Sequence, residues 1–262
     1  MAAAAGVRGM SALARAAAAA RRRTIDRPWV PVLFLAPGCA LIALVFLYPA
    51  LKALALSFTD FNMITPARPV GLANYLRLWA DPFFWAALRH TLVYLAVVVP
   101  VLVVLPIFLA LLVNRALPGR AFFRAALYLP VVTSLVISAL VWKWVYEERG
   151  LLNHFLLATG LTDEPVRFLT DPAHALFSVM AVTAWSGMGY YMVIYLAGLQ
   201  SIPRELYEVA EVEGVGRWKQ TLHITIPLLR PQVALVAVMS SIGAMKVFEE
   251  VYVMTQGGPL DS

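Results

Sequence analysis

Residues 91–113 read TLVYLAVVVPVLVVLPIFLALLV, a run of 23 residues without one charged side chain. A helix needs about 20 mostly apolar residues to cross the hydrocarbon core of a bilayer. The rest of the chain has the same character, since 61% of its 262 residues are apolar and 14% are charged. Soluble domains average about 25% charged residues. The composition therefore predicts an all-α integral membrane protein and excludes an ordinary soluble enzyme, a disordered chain and a disulfide-stapled secreted domain.

Four further apolar segments accompany this run, so the sequence predicts a polytopic helix bundle with five membrane spans. Prolines inside the first three spans predict kinked helices, which neighbouring helices accommodate. The fifth span is the weakest because it contains Lys246, Glu249 and Glu250. The predicted spans are 31–58, 91–113, 125–142, 174–199 and a segment that starts at 228 or 231 and ends at 254.

The distribution of basic residues predicts an orientation. With the N-terminus inside, 13 Lys and Arg residues fall in inner segments and seven in outer ones, as the positive-inside rule requires. The basic excess thus indicates membrane topology and not nucleic-acid binding. Residues 1–29 are predicted to be a cytoplasmic tail rich in Ala and Arg, because the apolar run after them is too long for the core of a signal peptide. Residues 30–262 form the predicted transmembrane domain.

The loop between the fourth and fifth spans has an unusual composition for an inner segment, with four glutamates between residues 201 and 227. Pro203 suits the first turn of a helix. Glu205 and Glu208 then fall in the turns where the helix dipole favours acidic side chains. The sequence therefore predicts a short helix that begins near Pro203.

A second short helix is predicted after a glycine break. Residues 214–216 read Gly-Val-Gly and interrupt the first helix, since glycine accepts positive φ. The second helix begins at Arg217, presents Trp218 and ends at Pro227. This helix–Gly–helix elbow is either a docking surface for a partner or an amphipathic elbow on the lipid headgroups, since interfacial helices have the same pattern.

The elbow resembles the EAA loop of ATP-binding-cassette (ABC) importer permeases. Residues 208–210, Glu-Val-Ala, match its Glu-Ala-Ala, and Gly214 matches its central glycine. Residues 224–227, Ile-Thr-Ile-Pro, match its end. The departures from the family pattern are Val209, Glu213 and Val215.

Other segments resemble the sugar-uptake permeases of the maltose and glycerol-phosphate type, a binding-protein-dependent family. The resemblance runs from about residue 31 to the end of the chain. The matching segments are 71–75 (GLANY), 123–124 (FR), 129–130 (LP), 150–153 (GLLN) and 252–259 (YVMTQGGP). In that family a final helix follows the Gly-Gly-Pro loop, so five of an expected six spans are present and the C-terminal helix is predicted to be missing.

The resemblance implies a permease subunit of an importer in the bacterial plasma (inner) membrane. The elbow, with Glu205, Glu208, Ala210, Gly214, Trp218 and Pro227, is the expected coupling site for a separate ATPase. The chain contains no P-loop sequence and no plausible catalytic set of residues. We therefore expect that it is not an enzyme and binds no cofactor. ATP and Mg are expected to bind to the partner ATPase. The expected partners are a second permease subunit, an ABC ATPase dimer, an extracytoplasmic sugar-binding protein and membrane lipid, but no nucleic acid.

Two clusters are candidates for the substrate path. On the fourth span large side chains recur at helical spacing, which is also the pattern of ordinary packing. On the fifth span the i, i+3 and i+4 spacing of three charged residues predicts pairing on one face, either for the solute or as a structural ion pair. The candidates are Trp185, Met188, Tyr190, Tyr191, Met192, Tyr195, Lys246, Glu249 and Glu250.

Three hypotheses remain from the sequence. The first is the permease of an ABC importer for a sugar or sugar-like solute. The second is a secondary transporter or channel without an ATPase, for which only the Lys246 cluster speaks. The third is a membrane scaffold that docks a soluble partner, which explains the elbow but not the outer motifs. The sugar and the second permease are not predicted.

Overall fold

The computed structural model describes residues 29–114 and 118–258, and regular structure there is almost entirely helical. The chain divides into two compact units, Met1–Asp81 and Pro82–Ser262. Residues 1–28 of the predicted tail lie outside the described residues. The described elements of the first unit are α1 (Trp29–Leu56), β1 (Thr59–Asp60), β2 (Arg68–Pro69) and α2 (Ala73–Ala80).

Helix α1 has 28 residues, and its most apolar stretch of 18 residues has a mean hydropathy of 2.6. Its side chains from residue 31 to residue 55 are exposed. The helix widens into a π-helical turn at Ala43–Leu47, where the Tyr48 N–H donates to the carbonyl five residues back, that of Ala43. Pro49 is the cause, since a proline ring clashes with the carbonyl four residues before it and a wider turn relieves that clash.

Side chains of the 71–75 motif hydrogen-bond to the segment that follows α1. The Asn74 Nδ2 donates to the carbonyls of Ser57 and Thr59, both at 2.9 Å. The Tyr75 hydroxyl lies 2.7 Å from the Ser57 Oγ. The two short strands pair antiparallel beside these contacts. The motif therefore has a structural role in this chain, because Asn74 and Tyr75 satisfy polar groups at the end of α1.

The second unit is a bundle arranged around one central helix, α7. Helices α3, α4, α5, α10 and α11 all pack against α7. Half of the residues in its most apolar 18-residue stretch are buried inside the bundle. The elements of this unit are α3 (Pro82–Asn114), α4 (Arg120–Val132), α5 (Leu135–Val145), α6 (Leu151–Ala158), α7 (Pro172–Gln200), α8 (Glu205–Val212), α9 (Arg217–Leu228), α10 (Arg230–Met245) and α11 (Glu249–Thr255).

Close helix contacts hold this bundle together. Helix α3 buries one stripe at four-residue spacing, from Tyr94 through Val98 and Leu102 to Ala110, which is a ridge suited to the groove of a neighbouring helix. Helix α4 approaches the α7 backbone directly at Gly189, where a Cβ would overlap the Leu127 carbonyl oxygen. A larger residue at position 189 would push α4 away.

The number of spans agrees with the prediction when each bent pair counts as one. Helices α1, α3 and α7 are long and apolar enough to cross a membrane alone. The pairs α4–α5 and α9–α10 pass the same test together, which gives up to five spans in the described residues. The all-α, polytopic fold class is confirmed.

The prediction that the third span is one helix over 125–142 is wrong. Helices α4 and α5 meet at an angle of 100°, with extended backbone at Thr133 and Ser134. The Thr133 Oγ1 donates to the Leu129 carbonyl, and such side-chain bonds compete with the helical pattern. Pro130, three residues earlier, also lacks the N–H of a regular helix.

The fifth span begins where the sequence predicts, since α10 starts at Arg230, but the helix before it ends differently. The helix from Arg217 does not end at Pro227 but runs through it, with a π-helical turn at Thr221–Thr225 like the one before Pro49. The chain then bends by 65° between Leu228 and Arg230. Pro231 explains this bend, because it cannot donate to the carbonyl of Pro227 four residues back.

At its other end the fifth span stops at Met245 and not at residue 254. The Lys246 N–H donates to the Gly243 carbonyl, three residues back, which closes the last turn tightly. Helix α11 begins only at Glu249. The predicted i, i+3 and i+4 pairing of Lys246 with Glu249 and Glu250 is therefore wrong, because that spacing needs one continuous helix.

Candidate functional site

The corner of the elbow is a Schellman turn. The Val215 N–H donates to the Ala210 carbonyl at 2.8 Å, and the Gly214 N–H donates to the Glu211 carbonyl at 3.0 Å. These two bonds define the motif that ends helices with a left-handed residue. Gly214 supplies that residue, with φ +73°. A Cβ at position 214 would point into open space, so glycine is required for its backbone angle and not for lack of room.

Two side-chain bonds tie the arms of the elbow together. The Tyr207 hydroxyl on α8 lies 2.9 Å from the Thr225 Oγ1 on α9. The Gln220 Nε2 donates to the Val215 carbonyl at 2.8 Å, and Gln220 is buried. Each such bond contributes about 1 kcal/mol, and together they fix the angle between α8 and α9. The shape of the elbow is therefore held by contacts within the elbow itself.

The structure places the predicted coupling residues on this elbow in different positions. Glu205, Glu208 and Trp218 are exposed, and the Trp218 side chain is 66% exposed. Ala210, on α8 itself, is buried. Pro227 lies in the last turn of α9 and helps to shape it. The exposed side chains of the elbow thus include acids and a large indole.

A cavity of about 750 Å³ lies between the elbow and the ends of α3 and α7. It includes Tyr207, Trp218 and Thr225 from the elbow and Phe108 and Leu199 from the two long helices. The sequence analysis missed this cavity, because the helical pattern of α8 and α9 predicts their faces but not the distance to other helices.

A second cavity of about 460 Å³ lies within the bundle, at the two helix breaks. It brings together five of the substrate-path candidates, although these come from separate elements. Polar side chains of α7 and α10 complete the wall. The candidates in the lining are Tyr190, Tyr191, Lys246, Glu249 and Glu250, and the added polar residues are Thr133, Thr183, Ser186 and Ser240.

Four predicted residues of the fourth span do not line this cavity. Trp185 packs edge-on against Trp142, with ring centroids 5.4 Å apart. Met192 and Tyr195 are fully buried. The Tyr195 hydroxyl has no hydrogen-bond partner among the described residues. Met188, on the same face, is half-buried. For this face the geometry matches ordinary packing.

A polar chain crosses the bundle at one end of the inner cavity. The Tyr94 hydroxyl on α3 donates to the Thr183 Oγ1 on α7 at 2.6 Å. The hydrogen of the Thr183 hydroxyl is shared between the Val179 carbonyl at 3.3 Å and the Glu250 Oε1 on α11 at 3.4 Å. Sequence reasoning missed Tyr94 and Thr183. The available signal was two hydroxyl side chains in otherwise apolar spans, where polar groups need partners.

The segment between α5 and α7 is fixed by buried polar contacts. Asn153 is completely buried and bonds the backbone of Glu147 and Val166 on both sides, which gives the 150–153 motif a structural role. Asp171 caps α7, and the N–H of Ala173 that it accepts lowers the pKa of its carboxyl. In the part of the chain that the structure describes, no three His, Cys, Asp or Glu side chains form a metal site.

The fold and these two sites agree with one family of membrane proteins. The model of the binding-protein-dependent transport system inner membrane component matches residues 78–262. The chain belongs to this family. It is the permease, the membrane subunit of a transporter that works with a binding protein, and not the ATPase. The resemblance to ABC importer permeases is thereby confirmed, and the family also supports a multi-pass protein of the inner membrane.

Curated relatives belong to transport systems for several glycans. The lactose transport system permease protein LacF of Rhizobium radiobacter is 39% identical over 88% of this chain and 78% of its own length. The arabinooligosaccharides transport system permease protein AraP of Bacillus subtilis is 35% identical over 86% and 72%. The sulfoquinovosyl glycerol transport system permease protein SmoG of Agrobacterium fabrum is 32% identical over 87% and 74%.

Solved structures of a bacterial transporter have the same fold. A chain of the bacterial alginate ABC transporter, in complex with its alginate pentasaccharide-bound periplasmic protein, superposes with a TM-score of 0.75. It is 27% identical and covers 91% of this chain and 80% of its own. A second structure of a bacterial ABC transporter that imports the acidic polysaccharide alginate gives a TM-score of 0.73 at 28% identity, covering 91% and 81%.

Proposed function

We propose that this permease conducts a sugar or sugar-like solute into the cytoplasm through the inner cavity, driven by an ATPase that docks on the elbow. The relatives named for lactose, arabinooligosaccharides and sulfoquinovosyl glycerol support a hydroxyl-rich solute. The inner cavity supports the same class, because tyrosine rings and polar side chains suit sugar rings.

One observation carries the coupling role, namely the direct course of the chain from the elbow to the cavity wall. Helix α9 forms one arm of the elbow and continues across the bend into α10. Helix α10 then supplies Ser240, Gly243 and Ala244 to the inner cavity. A displacement of the elbow is therefore transmitted to the cavity wall through two consecutive helices, α9 and α10, that meet at a bend.

The bend between α9 and α10 is tightly packed. Leu229, at the bend, is completely buried. A Cβ on Gly198 of α7 would lie 2.8 Å from atoms of both Leu229 and Gln232. Because α7 contacts the bend so closely, a displacement of the elbow rotates α10 about the bend. Tight packing at this point transmits the displacement, whereas loose packing would absorb it.

The proposal includes the orientation and the partners expected from the sequence. The N-terminus and the elbow lie on the cytoplasmic side, where an ABC ATPase dimer binds ATP and Mg. A second permease subunit completes the path across the lipid bilayer. An extracytoplasmic binding protein delivers the solute, and nucleic acid has no part in the cycle.

The proposal is tested by capture of the tagged, full-length protein from its native membrane in mild detergent, with mass spectrometry of the bound proteins. We expect an ABC ATPase, a second permease and a binding protein. A folded, monodisperse sample that captures no ATPase would contradict the proposal and favour transport without ATP.

A substitution in the elbow tests the docking site itself. Trp218→Ala removes an exposed aromatic anchor, a residue type that often contributes 2 kcal/mol or more to an interface. We expect at least roughly tenfold less captured ATPase. Trp144→Ala is the matched control, because Trp144 is 67% exposed but lies on α5, away from the elbow. Equal ATPase capture by both variants would mean that the ATPase docks elsewhere.

A further inference from the structure

The inner cavity contains an acidic side chain whose bonding is incomplete. Glu250 is only 6% exposed, yet it lines the cavity. Its one hydrogen bond among the described residues is the 3.4 Å contact from Thr183 to Oε1. The other carboxylate oxygen, Oε2, accepts nothing from these residues. A buried carboxylate normally has several donors, because an ionised group loses much free energy when it leaves water.

The contact that Glu250 does make is long and shared. Since the Tyr94 hydroxyl donates to the Thr183 Oγ1, the hydrogen of Thr183 is left to donate, and it is shared between the Val179 carbonyl at 3.3 Å and the Glu250 Oε1 at 3.4 Å. Oε1 thus receives only part of one hydrogen bond. The carboxylate is anchored at one oxygen and open to the cavity at the other, an arrangement suited to a ligand that brings its own donors.

The charge of the cavity wall restricts what that ligand can be. Two of the three charged side chains in the lining are acids, Glu249 and Glu250, and the third is Lys246. Glu249 and Lys246 are exposed, whereas Glu250 is enclosed. An enclosed carboxylate repels an anion far more strongly than a solvated one does, because the local dielectric is low.

We propose that Glu250 accepts a hydroxyl of the solute at Oε2 and that it makes the cavity select an uncharged, hydroxyl-rich sugar over an anionic glycan or a phosphate ester. This inference rests on the proposed function, and it narrows the solute class of the same site.

Carbodiimide labelling of the wild-type transporter tests the contact without any substitution. Dicyclohexylcarbodiimide modifies enclosed carboxyl groups, and peptide mass spectrometry measures the fraction of Glu250 that is modified. The assembled transporter, with its ATPase, second permease and binding protein, is labelled in the presence of neutral disaccharides (lactose, maltose, sucrose, trehalose) or of lactobionate. We expect a transported neutral disaccharide to slow the labelling of Glu250 and lactobionate to leave it unchanged.

Substitution provides the second readout. In proteoliposomes, Glu250→Gln keeps the shape and the bond from Thr183 but removes the charge. We expect the half-saturating concentration of the transported sugar to rise roughly tenfold, since a hydrogen bond to a charged group is replaced by a weaker neutral one. Inhibition of uptake by lactobionate should strengthen. Glu164→Gln is the control, because Glu164 is exposed on the outer segment and lines neither cavity.

The outcomes separate this inference from the proposed function. ATP-dependent uptake of a panel sugar, with unchanged labelling of Glu250 and a wild-type response in Glu250→Gln, would overturn the inference alone. Equal protection by lactobionate and the neutral sugars would overturn the charge selection. A transporter that carries no sugar of the panel would overturn the proposed function and this inference with it.

Discussion

At the scale of single residues, Gly214 connects backbone geometry to function most directly. Its φ of +73° allows the two turn bonds to Ala210 and Glu211. Other L-residues lose roughly 1–2 kcal/mol in this conformation, and β-branched side chains are the least suited to it. No neighbouring atom occupies the space of a side chain there. The backbone angle and the size of the side chain can therefore be tested separately at this position.

Gly214→Val and Gly214→Asn form the matched pair for that test. Asn accepts the left-handed conformation far better than Val, although the two side chains have similar size. We expect Gly214→Val to lose most ATP-driven uptake while inserting normally, and Gly214→Asn to retain most of it. Uptake in proteoliposomes and ATPase activity of the same samples give the coupling ratio. Normal uptake in the Val variant would remove the corner of the elbow from the coupling path.

At the scale of helices, hydropathy predicted the existence of the spans but not their direction. Residues 125–142 carry no charge, yet they turn by 100° at Thr133 and Ser134. A sum over a window records apolar length only, so two polar residues hardly change it. The charged residues Lys246, Glu249 and Glu250 are conspicuous in an apolar sequence and were therefore predicted. The helix break that places them around one cavity has no such signal in the sequence and was not predicted.

The central position of α7 explains why part of the predicted face does not line the inner cavity. Periodicity predicts which side chains share a face of a helix, but it does not predict what covers that face. Because α7 is surrounded by other helices, the face with Trp185 and Tyr195 is covered by packing. Tyr190 and Tyr191, beside it, reach the cavity. The local shape of the elbow was predicted more accurately, since its caps and glycines act locally.

The bend between α9 and α10 is an element whose cause can be tested. Pro231→Ala restores an N–H for the Pro227 carbonyl, so we expect the 65° bend to open. Spin labels at Lys219 and Ile242, in a Cys39→Ser background, would then move apart by roughly 5 Å, given a rise of 1.5 Å per residue. Pro227→Ala is the control, since it relieves the π-helical turn but not the bend. An unchanged distance in Pro231→Ala would assign the bend to packing around Leu229.

At the scale of the whole molecule, the cavity beside the elbow and the inner cavity are connected by the bent helix pair α9–α10. The outer surface of the elbow faces the proposed ATPase, and α10 forms part of the wall around the inner cavity. An importer must close this cavity on one side before it opens on the other, so its wall has to move when the elbow moves. Exposure of one wall residue to water is therefore a measure of the complete cycle.

Ser186 is suited to that measurement, because it lines the inner cavity and is nearly buried. In a Cys39→Ser background, we expect Ser186→Cys to react with a water-soluble methanethiosulfonate reagent at a rate that changes roughly tenfold between the ATP-free and the vanadate-trapped transporter. A tenfold change corresponds to about 1.4 kcal/mol in the population of the accessible state. Ser138→Cys is the control, since Ser138 is buried in α5 and lines neither cavity.

Combined variants show whether the elbow causes this change. If Trp218→Ala abolishes the ATP-dependent change at Ser186→Cys and Trp144→Ala preserves it, movement of the elbow causes the change in the cavity. A change that survives Trp218→Ala would require another route from the ATPase to the cavity wall.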